Sequence, residues 1–311
     1  MIYDCIPFFN ELDILKLRMQ ILSPYVDKFV LEESTVTFSG KPKEMLFAKN
    51  REMFREFEDK IVYIAVDNSP MSGVTTHERD KFQKNQLIRG LQGCKPDDIV
   101  IFSDVDEIPK PETLQKILRE FDPDKIYHLA QRMFYCFLDM EEVSGNLLSI
   151  TGEFPGIKQK QWLGTKICSF ANLPEEGIVY LREVSPGDRR SVRVPDGGWH
   201  FGYMGGDRDV AKRIGDKVQA AAHQEYNKSR YLNEAVDRLL CGEDIFGRNA
   251  RFVRVPIDES YPAYLREHQE EYAFLIAPKV SQAGILCKKV KLACMQGLRK
   301  LHGVAVRLRR G

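Results

Sequence analysis

The chain predicts an α/β protein, because short apolar strands alternate with helix-patterned stretches through its first hundred residues. The strands are near-continuous apolar runs, as expected where helices cover both faces of a sheet. With 311 residues, 43% of them hydrophobic, one large domain or a domain with a short extension can bury its own core.

Residues 2 to 9 form the first strand, and 11 to 22 follow with helical spacing through Leu12, Leu15, Met19 and Leu22, stopped by Pro24. The second strand, 28 to 31, delivers Glu32 and Glu33 at its carboxyl end. A turn with Gly40 and Pro42 leads to a predicted helix over 43 to 57. The third strand, 61 to 66, ends at Asp67. Thr76 is placed to cap a helix reaching Leu91. Residues 98 to 102 form the fourth strand. Ligands of open α/β sheets bind beyond the carboxyl ends of the strands, so Glu33, Asp67 and Asp104 are directed to one rim.

Beyond Pro109 the pattern loosens. Helices are expected over 113 to 121, 207 to 226 and 231 to 240, and strand over 125 to 138. Gly, Pro and aromatic residues break the stretch up to Gly206, where substrate-specific loops belong. From Ile285 the chain is basic with interleaved apolar residues, which suits an amphipathic helix touching a membrane surface or the protein body. Gly297 and Gly303 argue against one continuous helix there. The expected division is a single domain over 1–276, in two parts at about 1–110 and about 111–276, with a basic extension over 277–311.

The formal net charge is +1, which gives no reason to expect nucleic acid as a partner. Seven scattered cysteines without a Cys-x-x-Cys pair suit a reducing compartment, and the expected location is cytoplasmic. No apolar run is long enough to cross a bilayer, and the early acids Asp4, Glu11 and Asp13 do not suit a secretory signal. Contact with the inner face of a membrane through the basic tail stays open.

The most informative segment is IVIFSDVDEIP. An apolar strand ends in Asp104-Val105-Asp106-Glu107. If the backbone stays extended, both Asp side chains lie on one side and Val105 turns to the core. Two hard carboxylates suit Mg²⁺ or Mn²⁺, and such an ion can bridge a diphosphate leaving group. Phosphohydrolases with an aspartyl nucleophile also carry Asp-x-Asp after an apolar strand. Such enzymes usually carry it on the first core strand; here three strands precede it, and Ile108 stands where a small residue is usual.

His200 in GWHFGYMGG faces away from Phe201 on an extended segment and is a candidate third metal ligand. Trp199 is a candidate platform for a sugar. Arg79, Lys81 and Lys84 on the helix before the carboxylates can neutralise a diphosphate, with Asn85 a polar contact nearby. Lys166 and Arg189, the latter in a loop with Asp188, Arg190 and Arg193, are further phosphate contacts. Asp67 is a ribose or base contact. A general base for an attacking hydroxyl is sought among Asp188, Glu243 and Asp244.

Taken in order, YDCIPFFNELDILKLRM, FVLEESTVTFSGKPKEMLF, ERDKFQKNQLIRGL, IVIFSDVDEIPKPE, GWHFGYMGG and KVQAAAHQEYN resemble glycosyltransferase family 17, over roughly residues 1 to 276. That family includes the enzyme adding the bisecting N-acetylglucosamine of N-glycans. The resemblance implies a GT-A type fold with a mixed sheet, a UDP-sugar donor, UDP-N-acetylglucosamine first, an acceptor glycan, and inversion at the anomeric carbon. It ranks Asp106 before Asp104 at the metal. It places Glu33 or Ser34 on the wall receiving the base, and Gly242-Glu243-Asp244 at an acceptor-side helix start. Mammalian members carry an N-terminal Golgi anchor; this sequence begins almost at its first strand, so another acceptor is expected. The alternatives are another nucleotide sugar in the same fold, an Asp-x-Asp phosphohydrolase, and a non-catalytic glycan-binding module.

Overall fold

The computed structural model describes residues 1–67, 73–147, 151–154, 157–220 and 229–308. In chain order its elements are β1 (Ile2–Phe8), α1 (Leu12–Leu22), β2 (Lys28–Ser34), α2 (Leu46–Lys49), β3 (Ile61–Val66), α3 (Thr76–Asn85), β4 (Ile99–Phe102), β5 (Glu107–Pro109), α4 (Pro111–Arg119), β6 (Ile126–Tyr135), β7 (Met140–Glu142), β8 (Thr151–Phe154), β9 (Ile157–Ser169), β10 (Ser191–Gly202), α5 (Gly206–Ala220), α6 (Ser229–Leu240), β11 (Phe252–Arg254), α7 (Ala263–Glu267) and α8 (Gln282–Leu308).

The α/β class and the mixed central sheet are as expected. The main path of the sheet runs β11-β7-β6-β9-β4-β1-β2-β3. The β4-β1-β2-β3 end is parallel: β1 lies between β2 and β4, with Cys5 opposite both Val30 and Phe102, and β3 follows β2. Antiparallel pairing starts where β9 joins β4. β10 runs parallel to β6 and antiparallel to β5.

Alternation along the parallel strands explains why both faces are dry. Ile6, Phe8, Phe29, Leu31 and Ile101 point to one side, against Leu15 and Met19 of α1 and Phe47 of α2. Cys5, Val30, Val100 and Phe102 point to the other, against Leu87, Leu91 and Ile178. Burial of these runs leaves no solvated face, so the strands read as nearly continuous apolar sequence.

Some boundaries differ from expectation. The helix foreseen over 43 to 57 is a short α2 followed by a 3₁₀ helix, Arg51–Lys60, kinked at Phe54. Thr75, not Thr76, caps α3, in a reciprocal capping box with Glu78. Pro111 starts α4, where its missing N–H does no harm. The helix foreseen to 226 is described only to Ala220. Despite Gly297 and Gly303, and Gly284 before them, α8 is continuous across 27 residues. Among the described residues no helix is long and apolar enough to cross a membrane. The seven cysteines are all unpaired; Cys5, Cys136 and Cys168 are buried.

Candidate active site

The Asp-x-Asp segment leaves β4 as a turn rather than an extended strand, with Glu107 N–H donating to the Asp104 carbonyl at 3.0 Å. Val105 is buried in the core, as expected, but through the turn and not through strand alternation. Arg18 of α1 supports the turn from beneath. Its side chain is fully buried and pairs with Asp4 of β1 through two bonds of 2.8 and 2.6 Å. The same guanidinium donates to the carbonyls of Asp104 and Glu107 at 3.1 and 2.7 Å and to Ser103 Oγ at 2.7 Å. One buried cation therefore ties the first strand to the turn that presents the carboxylates.

Above the turn the carboxylates meet cations from distant segments. Asp104 pairs with Lys84 of α3 and with Arg182, each at 3.2 Å. Asp106 accepts from Lys217 of α5 at 2.5 Å, and His200 Nε2 lies 3.7 Å from its other oxygen. Pairing of β10 with β5 puts His200 opposite Glu107 and bonds Phe201 N–H to the Asp106 carbonyl at 2.7 Å. Gly198 permits this approach: its φ is +135°, and a side chain there would strike the Ile108 carbonyl. Burial alone would raise the Asp104 carboxyl, but Arg182 and Lys84 more than offset it and hold it at about 2. Burial likewise opposes ionisation of Asp106, and Lys217 and then His200 overcome it, so its carboxyl lies well below the ordinary range. Both carboxylates are thus ionised across the physiological range.

Glu107 orients this group. Its carboxylate accepts from Asp104 N–H at 3.1 Å, Trp162 Nε1 at 2.7 Å and Arg182 at 2.7 Å. The Trp162 ring in turn lies 5.3 Å from that of His200.

A cleft opens beside the turn at the carboxyl ends of β1, β2 and β4. Phe9 and Phe38 line its apolar part; Glu11, Glu32, Lys43, Lys84, Asp104, Asp106 and Lys217 line its polar part. Glu32, rather than Glu33, faces the cleft. Glu33 instead accepts from the amides of Phe47 and Ala48 at 2.9 and 3.3 Å and from Tyr63 Oη at 2.8 Å, so it serves the start of α2. Glu32 is buried and bonded to Ser34, and burial pushes its carboxyl up to about 8. Folding then takes up a proton between pH 4.5 and 8, so this group makes the protein less stable as pH rises through that window. Glu32→Gln should unfold at higher urea than the parent at pH 8.5, by up to ~4 kcal/mol, with the gap closing by pH 5. A gap independent of pH would remove Glu32 as its source.

The remaining sequence candidates lie elsewhere. Asp67 accepts from Thr35 Oγ1 and does not line the cleft. Arg79 donates to the Phe38 carbonyl at 2.8 Å, fixing the loop that forms one wall. Lys81 pairs with Glu183 over the Tyr180 ring. Asn85 binds the backbone of Glu176 and Val179. Lys166 is buried beneath the sheet end, donates to the Leu163 carbonyl at 2.6 Å, and is pushed down to about 7 by burial and Arg182.

Asp188 caps its own loop at Arg190 and lines a second cleft with Glu175, Glu176 and Glu183. Arg189 is exposed, and its carbonyl accepts from Lys125. Asp244 is fully buried by the Phe246 and Arg248 amides and the Arg248 guanidinium. Glu243 pairs with Arg238. No helix starts at Gly242; the segment is a turn after α6. None of the three base candidates is brought to the cleft. Trp199 is buried, with Nε1 bonded to the Ser260 carbonyl, so it offers no platform.

Three cations complete the site: Lys84, already a candidate from the sequence, with Arg182 and Lys217. Lys84 carries a helical-spacing signal on the basic side of α3, whereas Arg182 and Lys217 have no local one. For a divalent ion, Asp106 and His200 supply an oxygen and a nitrogen that face each other, a pair suited to Mn²⁺. Among the described residues no three His, Cys, Asp or Glu side chains form a complete metal cluster, so diphosphate oxygens or water would have to supply the other positions.

These features define an α/β protein whose cleft, at the ends of parallel strands, combines paired carboxylates with phosphate-type cations. Residues 1–143 match the sequence model of glycosyltransferase family 17. The matched segment holds β1 to β7 and the Asp-x-Asp turn. The β-1,4-mannosyl-glycoprotein 4-β-N-acetylglucosaminyltransferases of Homo sapiens and Rattus norvegicus are each 32% identical to this chain over 110 residues, covering 32% of it and 20% of the relative. The matched region thus spans about a fifth of those relatives. A solved structure described as a mycobacterial protein aligns with 71% of this chain and 74% of its own, at 16% identity and a TM-score of 0.36. GWHFGYMGG and the residues around Lys217 lie beyond the family match.

Proposed function

We propose that this chain transfers N-acetylglucosamine from UDP-N-acetylglucosamine to a hydroxyl of a glycan acceptor, with inversion and formation of a β-linkage. The observation that carries the reading is the convergence of Asp104 and Asp106 with Lys84 and Lys217 in one cleft at the strand ends. The names of the relatives supply the sugar and the acceptor class. Phe9 and Phe38 offer apolar surface for a base, and Lys84 and Lys217 lie where a diphosphate can exchange for their carboxylate contacts. Asp106 and His200 would hold a Mn²⁺ or Mg²⁺ ion, which stabilises charge on the departing diphosphate when bound.

The Lys217 contact favours a second reading of the same reaction. Its ammonium already lies on Asp106, and Lys84 and Arg182 already lie on Asp104, so these side chains can neutralise the leaving group without a metal. The test is donor turnover across a panel of nucleotide sugars, with Mn²⁺ or with a chelator. Selective loss of UDP-N-acetylglucosamine supports the donor, and its suppression by chelator supports the metal. Turnover of another sugar nucleotide would overturn the donor alone. Binding of no nucleotide sugar in either condition would leave the phosphohydrolase or glycan-binding alternatives.

A further inference from the structure

Among the described residues, α8 meets the body by one side. Leu292 is buried, Lys288 and Lys291 pair with Asp237 of α6 at 2.5 and 2.7 Å, and the Ile285 carbonyl lies against Cys241. Its other side is apolar and open. Leu286, Val290 and Leu298 are 63%, 55% and 67% exposed, and Cys287 and Cys294 are exposed among them. Steps of four from 286 through 290 and 294 to 298 place these residues along one stripe about a third of the circumference wide. Exposed Lys289 and Lys291 stand at its two margins.

The charge distribution selects what covers this stripe. After Glu271 the sequence contains nine Lys and Arg and no Asp or Glu. The preceding residues therefore hold 37 basic against 45 acidic side chains, so a near-neutral total hides a cationic end on an anionic body. A second copy would bring its own cationic end against this one, which disfavours self-association. An anionic lipid surface satisfies both the stripe and its cationic margins.

We propose that α8 is an interfacial anchor that lies on an anionic bilayer with Leu286, Val290 and Leu298 inserted, holding the domain at the membrane surface. This surface is independent of the donor reading. The test is co-sedimentation of the full chain with vesicles of phosphatidylcholine alone or mixed with phosphatidylglycerol. Binding should be at least about tenfold stronger to the anionic vesicles and should fall as salt is raised. Leu286→Glu/Val290→Glu should reduce it about tenfold or more, and Lys289→Glu about fivefold. All three positions are exposed, so thermal midpoints should match the parent. Sedimentation velocity without vesicles gives the alternative. Equal binding by parent and variants, absence of binding to anionic vesicles, or a dimer that the Leu286→Glu/Val290→Glu change dissociates would each overturn the proposal.

Discussion

Asp106→Asn should lower kcat/KM for donor turnover by ~10²–10³-fold while leaving the fold intact. Asparagine keeps the shape of the side chain but removes the charge that faces Lys217 and His200. Alanine would be a poorer choice, because it leaves Lys217 beside a void and mixes stability with chemistry. Lys217→Gln then separates the two readings of the site. If a divalent ion does the work, the lysine competes with it for Asp106, and its removal should tighten Mn²⁺ activation at modest change in maximal rate. If the lysine itself neutralises the diphosphate, its removal should depress the rate as severely as the Asp106 change, in Mn²⁺ or chelator alike. Titrating Mn²⁺ against both variants measures this. Full activity of Asp106→Asn would remove the carboxylate pair from the mechanism.

Arg18→Met should destabilise the protein by ~3–5 kcal/mol, the range for breaking one member of a buried ion pair. Asp4 would remain buried without its cation, and the carbonyls of Asp104 and Glu107 would lose a donor. The double change Asp4→Leu/Arg18→Met removes both charges and should recover much of the loss. Activity should not recover with it, because the turn remains unsupported. Urea unfolding and donor turnover on the three variants check this. Turnover restored in parallel with stability would show that Arg18 acts on the fold alone and not on the placement of the carboxylates.

The parallel half of the sheet was legible because its information is local. Apolar runs of three to six residues fall between turn residues, and burial on both faces keeps them nearly continuous. The Asp-x-Asp turn stood out for the same reason, as paired charge at the end of such a run. Glu32 and Glu33 show where locality ends. Neighbouring strand residues face opposite ways, and VLEES does not say which glutamate meets the cleft; packing against α2 on one side and α3 on the other decides it. Arg182 and Lys217 reach the carboxylates from 78 and 111 residues further along the chain, so nothing near the motif announces them. Asp244 misled because a carboxylate after glycine also suits a turn. There it is fully used by backbone amides and Arg248.

The switch from parallel to antiparallel pairing has a consequence for the order of assembly. The unit from β1 to β4 closes through neighbours within about one hundred residues, including the Arg18 tie. The other wall must wait for β9 to return to β4, β10 to return to β5 and β6, and α5 to follow. Contacts of such sequence separation form slowly, because a long loop must close before they reward it. During synthesis the two aspartates are therefore in place well before Arg182, His200 and Lys217 emerge. The nascent half-domain holds an acidic pair that Lys84 alone compensates, and competence for an anionic ligand arrives only with the closing strands.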